Sequence, residues 1–240
     1  MYAIVDIETT GGSAINGGIT EIAIHIHDGS RVVQHFSTLI NPERRVPDFI
    51  TALTGISNAM VASAPTFNEV ADKIFELLSD TIFVAHSVNF DHSFIYHHLK
   101  KCGYELNVKK LCTVRLARKA IPGLSSYGLG KICRHLNILI DDRHRADGDA
   151  KATVKLFENI LQNNGQEHID KMLKRSSSEQ WLPVYLDKNK IDNLPPVAGV
   201  YYFHNNKGKV IYVGKAINIK KRVVSHFTHN DAGQIGRAHV

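Results

Sequence analysis

Ala3-Ile4-Val5-Asp6-Ile7-Glu8 is followed, after a glycine-rich break, by Ile19-Thr20-Glu21-Ile22-Ala23-Ile24-His25-Ile26-His27. Both stretches alternate with a period of two, which puts successive side chains on opposite faces of a strand. In the second, Ile22, Ile24 and Ile26 share one face, and Glu21, Ala23, His25 and His27 the other. Asp28-Gly29 is a hairpin signal, and residues 31–40 return as a third strand. An antiparallel meander therefore opens the chain. Helix and strand then alternate. Thr66 with Glu69 forms a capping box that starts a helix to about Leu78. Thr81 to Ala85 is a short buried strand, and Phe90 to Lys101 a helix closed by Gly103. Tyr127 to Leu136 and Asp149 to Gln162 are two more helices. The pattern predicts an α/β domain, a mixed sheet flanked by helices, over residues 1–165.

The chain has 240 residues, 43% hydrophobic and 22% charged, which excludes disorder throughout and a fibrous repeat. No apolar run approaches the roughly 18 residues of a membrane span, and the N-terminus lacks the basic-then-apolar pattern of a signal peptide. Cys102, Cys112 and Cys133 show no CxxC spacing, so reduced thiols and a cytoplasmic location are expected. The net charge is +6, and between Asn193 and Asn230 there is no acid. Lys207, Lys209, Lys215, Lys220, Lys221 and Arg222 in that stretch equal the whole excess. Such a block suits an anionic partner, nucleic acid first, or a solubilising surface.

Asp6 and Glu8 are two apart on a strand, so their carboxylates share a face. That is either a solvated strand face or a repelling pair that needs a cation between its members. Thr9-Thr10-Gly11-Gly12 then breaks the strand and leaves backbone that a ligand can approach. Asp91 and Asp149 fall in the first turns of helices, where an anion is stabilised. Asn89 is the stronger cap, which leaves Asp91 for other work. His144 precedes Asp149 by five residues on a polar loop, placed to carry protons near neutrality. Four carboxylates and one histidine are the set that two-metal phosphodiester hydrolysis uses, with oxygen ligands suited to Mg²⁺. His97-His98 diverge on a helix and are expected to face solvent. Arg115, Arg118 and Lys119 face water or a DNA backbone, and Tyr127 either stacks on a base or packs inward.

Val5-Asp6-Ile7-Glu8-Thr9-Thr10-Gly11, His86-Ser87-Val88-Asn89-Phe90-Asp91 and His144-Arg145-Ala146-Asp147-Gly148-Asp149 resemble, in order, the three motifs of the DEDDh 3′–5′ exonucleases. These DnaQ-like enzymes include the proofreading subunit of bacterial DNA polymerase III and have an RNase H-like fold. Ser87 departs from the asparagine that relatives often carry there. The resemblance implies that Asp6, Glu8, Asp91 and Asp149 bind two divalent cations, Mg²⁺ or Mn²⁺. It makes His144 the general base, and Thr9 and Asn89 nucleic-acid contacts. The implied activity is release of nucleoside monophosphates from 3′ ends, DNA most naturally. An RNA-processing exonuclease and a non-catalytic tether are the alternatives.

Gly199-Val200-Tyr201, Tyr212-Val213-Gly214-Lys215, Asn218 and Arg222 form a second pattern, which resembles the GIY-YIG nuclease domain of the excision-repair protein UvrC and its homologue Cho. It implies a partial α+β domain over 194–234, joined by a partly helical linker over 166–193. Tyr201 and Tyr212 would trade protons, and Lys215 with Arg222 would hold a phosphate. The family's metal-binding Glu has no counterpart after Arg222, so this module is expected to be truncated. Residues 235–240 are expected to be a non-native tail, because Ile235-Gly236-Arg237-Ala238-His239-Val240 can be encoded by a string that resembles a sequencing-library adapter. The combination suits DNA repair better than replicative proofreading.

Overall fold

The computed structural model describes residues 1–163, 165–174, 188–204 and 208–228. The chain divides into two compact units, Met1–Lys174 and Arg175–Val240.

The first unit opens with β1 (Tyr2–Thr9), β2 (Ile19–His27) and β3 (Val32–Leu39). Helices α1 (Asp48–Thr54), α2 (Asn58–Ala62) and α3 (Phe67–Leu78) lead to β4 (Ile82–Ala85), α4 (Asn89–Lys101) and β5 (Lys110–Cys112). α5 (Thr113–Ala120), α6 (Leu129–His135), α7 (Ala146–Gln162) and α8 (Gln166–Leu173) complete it. The five-stranded sheet has the order β3-β2-β1-β4-β5. β1–β2 and β2–β3 are antiparallel, while β1–β4 and β4–β5 are parallel, which makes the sheet mixed and β1 its central strand. β5 is too short for its alternation to show in the sequence. Glu69 does close the expected box, its Oε2 accepting from Thr66 N–H at 2.7 Å and from the Thr66 hydroxyl at 2.8 Å.

The alternation of β1 and β2 divides the core in two. Ala3, Val5, Ile7, Ile22, Ile24 and Ile26 pack with Ile74 and Leu78 of α3 and Phe94 and Leu99 of α4. Ile4, Val84 and Leu111 pack on the other face with Leu116, Leu156, Phe157 and Ile160 of α5 and α7. Ile169 and Met172 of α8 are buried in this second cluster. The first unit therefore runs through Lys174 and includes the helix assigned from the sequence to the linker after residue 165.

All nine residues of β2 are buried, so its polar face is not solvated. That face lies under α7, where Glu21, His25 and His27 each have a partner. Glu21 meets Arg145 and Ala146, His25 meets Asp147, and His27 meets Glu158 with Nε2 3.2 Å from Oε1. Ala23 packs on Ala146 and Ala150, three small residues that allow close approach of helix and strand.

His97 and His98 are half-buried and not fully solvated as expected. The Nε2 atoms of both are buried, and the His98 ring sits 5.1 Å from that of Phe67. Burial pushes the His98 imidazole down to about 4.

In the second unit, α9 (Lys188–Asp192) precedes a hairpin of β6 (Gly199–His204) and β7 (Val210–Ala216), followed by α10 (Ile219–Thr228). Ile191, Tyr201, Ile219 and Val223 form its core. The other hairpin face leaves Val200, Tyr202 and Val213 more than half exposed. The expected tail at 235–240 and the turn residues 205–207 lie outside the described residues.

Ala23→Leu should lower unfolding stability by about 1–3 kcal/mol, because α7 has no room to move off β2. Chemical denaturation checks this; an unchanged midpoint would show that the contact is loose.

Candidate active site

β1 places Ile4, Asp6 and Glu8 on the face covered by α7, while Val5 and Ile7 anchor the strand in the opposite core. Asp149 stands in the first turn of α7. Carboxylate oxygens of Asp6, Glu8 and Asp149 lie within 4.8 Å of one another. Asp91, in the first turn of α4, is outside that trio but only 4% exposed. Its charge is the strongest of those that act on Asp6. Asn89 does not cap α4 as the sequence suggested. Val88 holds the cap position in helical conformation, no side chain bonds there, and Asn89 is exposed in the first turn.

These acids repel one another in a dry place. Burial, then the charges of Asp91, Asp149 and Glu8, hold the Asp6 carboxyl well above its usual range. Burial with Asp149 and Glu21 pushes Glu8 up to about 8, partly offset by Arg145. Burial raises Asp91 to about 7, against backbone hydrogen bonds at Asp91 and Ile7. Asp149 is also raised by burial, with the His144 backbone bond opposing. Oxygen donors crowded this way fit a hard divalent cation, which would remove the repulsion.

The third motif is held by residues that the sequence did not single out. Glu21, only 4% exposed, accepts from Ala146 N–H at 2.8 Å and takes the Arg145 guanidinium side-on, with Nη2 at 2.6 Å and Nε at 3.0 Å. A buried carboxylate at the start of α7 satisfies an open N–H and complements the helix dipole. Gly148 backs onto the preceding loop, and a Cβ there would fall 2.1 Å from the Asp141 carbonyl oxygen. Only glycine lets α7 start so close to that loop. His144 has a left-handed backbone, φ 64°, and its N–H donates to Asp149 Oδ2 at 3.1 Å. Loop and helix thus present His144 and Asp149 together. Glu21 was visible only as a polar residue in an alternating strand.

Asp6, Asp149 and His144 open into a cleft of about 320 Å³, whose opposite wall is Ser126 and Gly128–Lys131. His86 ties that wall to the sheet. Its Nε2 lies 2.9 Å from the Tyr127 carbonyl oxygen and its Nδ1 2.9 Å from Thr113 Oγ1. Burial lowers His86 to about 4, so the ring is neutral and donates through Nε2 to the carbonyl. Tyr127 packs inward, its hydroxyl donating to the Ile121 carbonyl oxygen at 2.7 Å, with the Arg118 guanidinium over its ring. Ser87 is left-handed, φ 85°, a conformation that asparagine tolerates better than most residues. The Thr9 hydroxyl is turned to the Gly11 carbonyl oxygen at 2.8 Å.

In the second unit the structure brings three of the four expected residues together. Tyr201 and Tyr212 rings lie 6.1 Å apart, and the Arg222 guanidinium is near enough to both phenols to be raised by them. His226 joins them, its Nε2 2.5 Å from the Tyr201 hydroxyl. Tyr201 pairs with Gly214, where a Cβ would fall 2.3 Å from the phenol. Lys215 pairs with Val200 on the opposite face, so the expected phosphate clamp of Lys215 and Arg222 does not form.

A mixed sheet with acids on its central strand and a His-x₄-Asp segment leading into the helix across it defines an RNase H-like exonuclease fold of the DnaQ-like DEDD class. The exonuclease family RNase_T matches residues 3–157, and the chain belongs to that family. A UvrC-like GIY-YIG domain matches residues 197–238. The chain is 35% identical over 204 residues to the 3′–5′ exonuclease DinG of Bacillus subtilis (strain 168), covering 81% of this chain and 22% of that one. It is 32% identical to protein MT2247 of Mycobacterium tuberculosis (strain CDC 1551 / Oshkosh), whose name pairs exonuclease with endonuclease, covering 96% of this chain and 37% of that one. The chain thus spans well under half the length of either relative. Exonuclease X in complex with 5′-overhanging duplex DNA superposes with a TM-score of 0.57 at 29% identity, over 69% of this chain and 93% of that one. The nuclease domain of 3′hExo, a DEDDh family member, shares the fold, with a TM-score of 0.60 at 19% identity, over 69% of this chain and 93% of that one. DEDD exonucleases use divalent metal ions and act on nucleic acid, and the carboxylates here fit such ions. No described helix is long and apolar enough to cross a membrane.

The raised carboxyls make a signed prediction for the metal-free protein. Glu8 and Asp91 bind protons more tightly folded than unfolded, so the stability they contribute is complete in acid. It is lost progressively as pH rises from the ordinary carboxylate range up through about 7 and about 8. The metal-free melting temperature should fall across that range, and Mg²⁺ should restore it. A flat profile without metal would contradict the repulsion.

Proposed function

We propose that the first unit is a 3′–5′ exonuclease that releases nucleoside monophosphates from DNA 3′ ends with Mg²⁺ or Mn²⁺. The convergence of Asp6, Glu8 and Asp149 within 4.8 Å, with Asp91 buried beside Asp6, carries this reading. Divalent cations bound there would polarise the phosphodiester and supply a nucleophilic hydroxide near neutral pH. The four carboxylates hold and space them. His144, at the cleft edge and tied through its backbone to Asp149, takes the proton of the attacking water. Asn89, exposed beside Asp91, contacts the strand end through its amide. Thr9 acts by shaping the turn, since its hydroxyl is committed to Gly11.

The second unit, we propose, retains the protein on DNA during cytoplasmic repair. It raises the local concentration of substrate for the nuclease and does not incise by itself. Among its described residues Asp192 is the single acid, with Lys220 4.0 Å away, and no described carboxylate joins the Tyr201 group. The UvrC-like match supports repair, and the free cysteines Cys102, Cys112 and Cys133 suit a reducing compartment.

End-labelled DNA and RNA of one sequence provide the test. DNA should be shortened from its 3′ end, RNA more slowly, and chelation should stop both. Asp91→Asn should cost at least about 100-fold in rate, and His144→Ala about 10²–10⁴-fold with DNA affinity kept. Full activity in excess chelator, or a wild-type rate in His144→Ala, would overturn the assignment. Nicking of supercoiled plasmid that survived Asp91→Asn but not Tyr201→Phe would show that the second unit cuts by itself.

A further inference from the structure

A second group of metal-type ligands lies where β2, β3 and the first turn of α7 meet. It shares no residue with the carboxylate site. His25 and His35 are directly opposed on the antiparallel pair β2–β3, with ring centroids 4.4 Å apart. Both aim Nε2 at one oxygen: Asp147 Oδ1 is 3.1 Å from His25 and 2.8 Å from His35. One donor atom from each residue falls within 4.8 Å of the others. Asp147 Oδ2 is engaged by Lys151 Nζ at 2.6 Å, which fixes the rotation of the carboxylate and leaves Oδ1 turned to the imidazoles.

The donor set identifies the kind of ion. Two imidazole nitrogens and one carboxylate oxygen suit Zn²⁺ and its neighbours, whereas Mg²⁺ prefers six oxygens. Bonds of about 2.0–2.1 Å to a tetrahedral ion put neighbouring donors roughly 3.3 Å apart. The observed separations at Asp147 need to open by only a few tenths of an ångström. The sheet and helix already hold all three side chains, so binding orders little that is loose. The His25 side chain is buried, while that of His35 is 44% exposed, so a fourth position opens to solvent. Burial, then the charge of His35, lowers His25, which favours the neutral ring a metal requires.

We propose that His25, His35 and Asp147 bind one divalent transition-metal ion of the zinc type, distinct from the ions of the nuclease centre. The bound ion clips the β2–β3 hairpin to the first turn of α7, the same turn that carries Asp149. It is a structural tie on the helix that presents a nuclease ligand, with a solvent molecule as fourth ligand. Without metal, His25 and His35 hydrogen-bond to Asp147.

Co²⁺ titration of the metal-free protein, with excess Mg²⁺ to fill the oxygen site, tests the proposal. Four-coordinate, nitrogen-ligated Co²⁺ gives an intense visible band, while six-coordinate oxygen-ligated Co²⁺ absorbs weakly. An intense band should grow to one equivalent and bleach when Zn²⁺ is added. It should be lost in His35→Ala and in His35→Gln, surface changes whose folding is checked by circular dichroism, and it should survive in Asp6→Asn. In the same excess of Mg²⁺, Zn²⁺ should also raise the melting temperature of the wild type and not of His35→Ala. No intense band in the wild type, a band that persists in both His35 variants, or one that disappears in Asp6→Asn would overturn the proposal.

Discussion

Mutual repulsion among Asp6, Glu8, Asp91 and Asp149 is the constraint around which the first unit is arranged. Like charges in a half-dry cleft separate unless the backbone beneath them is immobile. β1 supplies that backbone. It is central in the sheet, hydrogen-bonded on both edges, and pinned by Val5 and Ile7 in one core and Ile4 in the other. Asp149 is held by different means. Glu21 clamps Arg145 and the first N–H of α7, and Gly148 lets the helix begin hard against the preceding loop. Much of the buried polarity between β2 and α7 serves to fix the start of one helix.

The same economy appears in the second unit at smaller scale. Tyr201 occupies the space above Gly214, and Gly199 admits the Ile219 side chain, whose Cδ1 would lie 2.9 Å from a Cβ at that position. Each glycine of the pattern thus makes room for a side chain of the small core. Arg222 reaches back from α10 to both phenols, so the polar group and the apolar core are built on one hairpin face.

The sequence was legible where local chemistry sets structure. The alternation in β1 and β2 and the Thr66–Glu69 box needed only spacing to read, and the three acidic motifs were read through their resemblance to a known family. Readings failed where a distant partner decides. What covers the polar face of β2 was not visible, because α7, which meets Glu21, His25 and His27, lies more than a hundred residues away. Asn89 looked like a cap, but the chain enters α4 already helical at Val88. His98 looked solvated because Phe67, against which its ring packs, is on α3 and not on its own helix. α8 looked like linker because its polar composition hides Ile169 and Met172, which bury against the sheet. Lys215 was grouped with Arg222 by order along the chain, whereas the strand period sends it to the other face.

Proton release on cation binding tests the central claim most directly. With carboxyls at about 8 and about 7 in the metal-free site, part of the cluster is protonated near neutral pH, and a divalent cation must displace those protons. Calorimetric titration of Mg²⁺ at about pH 7, in buffers of different ionisation enthalpy, counts them. The account predicts net proton release at that pH, reduced in Glu8→Gln and falling as pH rises through about 8. Mg²⁺ binding with no proton release at neutral pH would mean that the four carboxylates are already ionised, and that burial and repulsion do not hold them protonated.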